Sequence, residues 1–155
     1  MKTASFLSIL IPALSFGAEG GPPADVMDAL KVPGAFQIRT ATADIPLPVR
    51  TAFAKTTGQA SFSMAEPGAR WQSTDVMVMP PLPGRRLRAS ACSKVFCIIF
   101  YETGGVARMN RVAVFRLNPN DAKLVWNAIA FHDADDPKSL LIAIENGKLR
   151  QDPYL

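Results

Sequence analysis

The segment Val95-Phe96-Cys97-Ile98-Ile99-Phe100-Tyr101 is apolar at both odd and even positions. A strand alternates its side chains between two faces, so a run like this needs cover on both, at least in part. It is read as a central strand. Thr103-Gly104-Gly105 follows, and a Gly-Gly pair suits a hairpin because both residues accept positive φ. Val106 to Leu117 then reads as the returning strand. Asn118-Pro119-Asn120-Asp121 is a turn by composition, and Lys123 to Phe131 is the next strand, with Leu124, Trp126, Ala128 and Ala130 on one face. Upstream, Arg86 to Ala91 alternates and reads as half-buried, and Phe36 to Thr40 reads as a short strand. Strand signals also run from Trp71 to Met79, ended by the Pro80–Gly84 cluster.

Helices are marked by their punctuation. Val26, Ala29 and Leu30 share a helical face in Ala24–Lys31, stopped by Pro33-Gly34. Pro48 suits a first turn, Val49, Ala52, Phe53 and Thr56 form a stripe, and Gly58 is a stop. Asp136 is a candidate N-cap, Pro137 a first-turn residue and Gly147 a C-cap around Leu140, Leu141 and Ile144. The tail from Lys148 reads as loose. The expected fold is α+β: a four- to five-stranded antiparallel meander packed against two or three short helices. The helices are expected on one sheet face, the other being partly exposed or cradled by the Pro-rich loops.

The N-terminus reads as a secretory signal peptide. Lys2 precedes an apolar stretch, Phe6 to Ala18, that is well short of a bilayer span and is interrupted by Pro12. Cleavage after Gly17 places small residues, Ser15 and Gly17, at both inspected positions, although cleavage as late as Gly20 fits too. Residues 1–17 are therefore assigned to the signal, 18–23 to a flexible leader, and 21–155 to a single α+β domain after an N-terminal signal peptide. No span is expected in the mature chain, which is placed in the periplasm or outside the cell.

Export changes the reading of the two cysteines. Cys92 and Cys97 sit at the base of the hairpin expected between Arg86–Ala91 and Val95–Tyr101, so a disulfide is expected. The spacing is C-x4-C, which is not the C-x-x-C of thiol oxidoreductases. His132, the one histidine, opens His132-Asp133-Ala134-Asp135-Asp136. That is read as a solvated acidic loop before a helix cap, because zinc needs more nitrogen or sulfur ligands and the calcium-loop spacing fails. No metal, no cofactor and no catalytic residue is assigned. There is no phosphate loop, no G-x-S-x-G elbow and no obvious carboxylate pair.

Charge is the uneven feature. Of the 17 Lys+Arg and 13 Asp+Glu in the 155 residues, the stretch 85–116 holds Arg85, Arg86, Arg88, Lys94, Arg108, Arg111 and Arg116 against Glu102 alone. The acidic residues outnumber the basic ones from 117 onward. By strand parity Arg86 and Arg88 share a face, as do Arg108 and Arg116, whereas Arg111 points the other way. Arginine suits bidentate recognition of carboxylate or phosphate. The functional expectation is a small non-catalytic binding domain of inhibitor, immunity or envelope-accessory type. It would meet an acidic protein or an anionic envelope component through Arg86, Arg88, Arg108, Arg111 and Arg116. Few aromatics are placed to stack bases, which disfavours nucleic acid. The alternative is a small-ligand carrier or enzyme with a cleft between sheet and helix, lined by Trp71, Met77, Met79 and Trp126.

Overall fold

The computed structural model describes residues 20–76, 79–130 and 136–152. The expected signal peptide, His132, Asp133, Asp135 and Met77 lie outside the described residues.

Six strands form one antiparallel sheet in sequence order: β1 (Gln37–Arg39), β2 (Arg85–Cys92), β3 (Phe96–Thr103), β4 (Met109–Leu117), β5 (Ala122–Ala130) and β6 (Arg150–Gln151). Three helices accompany it: α1 (Ala24–Leu30), α2 (Leu47–Thr56) and α3 (Pro137–Glu145). The expected α+β meander is therefore present, with more strands than the sequence suggested. The tail expected to be loose contributes β6, because Asp152 ties it down. The Asp152 amide donates to the Asn127 carbonyl at 3.1 Å, and the Asn127 side chain donates to the Asp152 carbonyl at 2.7 Å.

Alternation along β3 produces two cores. Phe96, Ile98 and Phe100 meet Val112, Val114, Trp126 and Ala128 on one face, under Val26 of α1 and Leu140 and Ile144 of α3. Cys97, Ile99 and Tyr101 meet Leu87, Ala113 and Phe115 on the other, under Val49 and Phe53 of α2 and Ile45. Helices thus cover both faces, not one. A strand apolar on both sides leaves nothing suited to solvent on either.

Two bulges adjust the register. One lies in β2 between Leu87 and Ala89, and one shifts β5 between its Val114 and Phe115 partners. The second moves Leu124 to the α2 face, so it does not share a face with Trp126 as simple alternation predicted. The Trp71–Met79 strand is not formed over the described residues. Ala65 instead makes a parallel bridge to Arg86, and the Gln72 amide donates to the Pro83 carbonyl at 2.9 Å. The Gln72 side chain then takes up the Thr74 and Val76 carbonyls, which satisfies that backbone locally. Among the described residues no helix is long and apolar enough to cross a membrane.

Cys92 and Cys97 are directly paired across the β2–β3 hairpin and form a disulfide, with Cα atoms 4.0 Å apart. The Ser93 hydroxyl closes the turn by accepting from the Phe96 amide at 2.9 Å.

Candidate functional site: an arginine cluster on a buried carboxylate

Glu102 continues the even-numbered face of β3 beyond Phe96, Ile98 and Phe100. Its side chain is 2% exposed. A carboxylate at such a position needs cations on both oxygens to offset lost hydration. Arg86, its direct cross-strand partner, donates from Nε to Oε2 at 2.7 Å and brings Nη2 to 2.6 Å. Arg108, from the β3–β4 turn, donates to Oε1 at 2.8 Å. Arg88 lies 3.6 Å from Oε1. Arg88 is the extra residue of the β2 bulge, and bulges commonly re-aim a side chain in this way.

Aromatic faces hold two of these guanidinium groups. Arg86 lies over the Trp71 ring at 5.2 Å, and Arg88 over Phe100 at 5.9 Å. Cation–π contact of this kind fixes the plane of the fork without neutralising it. Arg86 and Arg88, with Pro67, Gly68 and Leu87, line a shallow depression of about 220 Å³. Arg108, 56% exposed, stands at the open side of the same carboxylate. Three guanidinium groups thus converge on one carboxylate.

The other two expected arginines are elsewhere. Arg111 lies on the α2 face beside Tyr101, where it is 13% exposed and paired with Asp152. Arg116 pairs with Asp25 of α1 and lies over Phe96 at 5.1 Å. Phe96 is opposite Arg116 and Glu102 opposite Asn110, so Arg116 is about 20 Å along the strand from the cluster. The parity reading of Arg111 as opposite to Arg108 and Arg116 agrees with this, but the five do not form one surface. Glu102 was not assigned a role from sequence. The available signal was its position: a lone carboxylate in a basic stretch, in phase with the apolar residues of its strand.

On the α2 face Tyr101 is fully buried against Phe53, in edge-on contact at 5.1 Å. Burial pushes its phenol up to about 12, against the opposing pull of Arg111 and Arg85. Among the described residues the hydroxyl has no hydrogen bond of good geometry, although Arg85 stands close to it.

The residues expected to line a cleft are distributed differently. Trp126 is in the α1/α3 core and donates its ring N–H to the Gly20 carbonyl at 3.2 Å. Trp71 lies under Arg86, and Met79 is 77% exposed. The contact between α3 and strands β2 and β3 encloses only about 10 Å³. Comparison with known protein families, with curated proteins and with solved structures finds no match to this chain.

Proposed function

We propose that the protein is a small exported, non-catalytic binding domain whose Glu102-gathered arginines recognise a carboxylate or phosphate on an anionic partner. The carrying observation is a convergence at one point of the sheet: Arg86, Arg88 and Arg108 meet one buried carboxylate beside an open depression. Glu102 and the two aromatic rings hold the forks in place, which lowers the ordering cost of binding. Arg108 is the most exposed of the three and is assigned first contact. An acidic protein or an anionic envelope component would present such groups. The cleft alternative, in the form lined by Trp71, Met79 and Trp126, draws less support: these residues stand apart, and the α3 contact encloses only about 10 Å³.

The test is retention of the mature protein on immobilised polyglutamate and on vesicles containing an anionic phospholipid. Arg88→Gln/Arg108→Gln is the comparison, and salt is varied. We expect retention that falls with salt and drops about tenfold or more in the double variant. Equal retention of both forms would remove the cluster from the function. Export is tested separately by the N-terminus of the protein recovered outside the cytoplasm, expected at residue 18.

A further inference from the structure

A larger concavity lies at the opposite edge of the sheet from β6, where α2 does not set its boundary. It has a volume of about 700 Å³ and opens between the loop after α1, strand β1 and the β2–β3 turn. That volume is in the range of about 300–1,000 Å³ typical of small-molecule sites. Val32 and Val95 line it while 55% and 50% exposed, and Ala29, Ala35 and the Cys92 side of the disulfide add further non-ionic surface. Large aliphatic side chains exposed together in a concavity gain from being covered.

The same lining carries Arg39, Lys94 and Asp44. Arg39 donates to the neutral Gln37 amide at 2.8 Å. Among the described residues neither Arg39 nor Lys94 is in an ion pair, in contrast to Arg86, Arg108, Arg111 and Arg116. Asp44 is the one carboxylate of the lining, so the groove has one positive charge in excess over an apolar wall.

We infer that this groove binds a single-chain amphiphile with an anionic head, of the fatty carboxylate class. The chain lies along Val32 and Val95, and the carboxylate meets Lys94 and Arg39. The site is independent of the Glu102 cluster.

Dodecanoate, titrated into the mature protein below its micelle concentration, tests this directly. Saturable binding of one molecule per chain is expected. It should weaken about tenfold in Lys94→Ala and again in Val95→Asp, both exposed positions whose substitution leaves the cores intact. Arg88→Gln/Arg108→Gln should bind dodecanoate like the parent, which separates this site from the proposed function. Absence of saturable binding overturns the inference. So does equal affinity for dodecyl maltoside, whose head is neutral. So does displacement by a short acidic peptide that acts equally on Arg88→Gln/Arg108→Gln, since that would make the groove a peptide site.

Discussion

At Glu102 a carboxylate is held inside a sheet because guanidinium groups reach both of its oxygens. Removing it leaves Arg86, 19% exposed, without the carboxylate that takes both its Nε and its Nη2. Glu102→Ala should therefore lose about 3 kcal/mol in urea unfolding, the scale of a broken buried pair. Arg108→Ala, at an exposed member of the same cluster, should lose less than about 1 kcal/mol. If the two cost the same, the cluster is a solvated surface and not a buried hub. Tyr101 offers a second residue-scale test. Its phenol is at about 12 in the fold and 10.0 in the unfolded chain. A raised value means that the stabilisation is complete below 10.0, declines as the unfolded chain ionises, and is gone above the folded value. Tyr101→Phe should flatten the alkaline limb of the stability profile and change little at neutral pH, where it removes a hydroxyl with no well-aligned partner. An unchanged alkaline limb would show that another group titrates there.

Helix α3 shows how a local signal becomes a pH response. The Asp136 carboxylate accepts from the Lys138 and Ser139 amides, at 2.8 and 3.1 Å, and from the Ser139 hydroxyl. The Ser139 hydroxyl, followed by its amide, holds the carboxyl below 3.8. A depressed value contributes stability above 3.8 that is lost as pH falls through the folded value. Amide exchange in the first turn of α3 should accelerate there, and Asp136→Asn should keep the cap while abolishing the pH dependence. Retention of the acid response in that variant would assign it elsewhere.

Elements with their own punctuation were legible in the sequence. Asp136, Pro137 and Gly147 bound α3 as expected, and Gly58 ends α2 with a φ of 67°. The disulfide followed from the hairpin. The bulges were not legible, because an extra residue in β2 or β5 costs little locally and is set by partners distant in sequence. The strand expected over Trp71–Met79 fails for the same reason: among the described residues Gln72 is held by the Pro83 carbonyl, a partner outside the segment. Gly104 is part of that anchor, since a Cβ on it would lie 2.0 Å from the Gln72 carbonyl oxygen. The site was half legible. Arginine count marked the region, but which arginines converge depended on Glu102 and on the bulge that turns Arg88.

At the scale of the molecule, one sheet separates two cores that share no residues. Ile144→Val in α3 and Ile45→Val on the α2 face should each cost about 1 kcal/mol, and the double variant should cost their sum to within about 0.5 kcal/mol. A markedly larger loss would mean that strain passes through β3.

The two tryptophans stand on different parts of this architecture, Trp71 under Arg86 and Trp126 bonded to Gly20. The molecule therefore carries two native optical reporters. With Trp126→Phe, the remaining emission would report charge arriving at the arginines. With Trp71→Phe, it would report whether the N-terminal segment stays docked on β5.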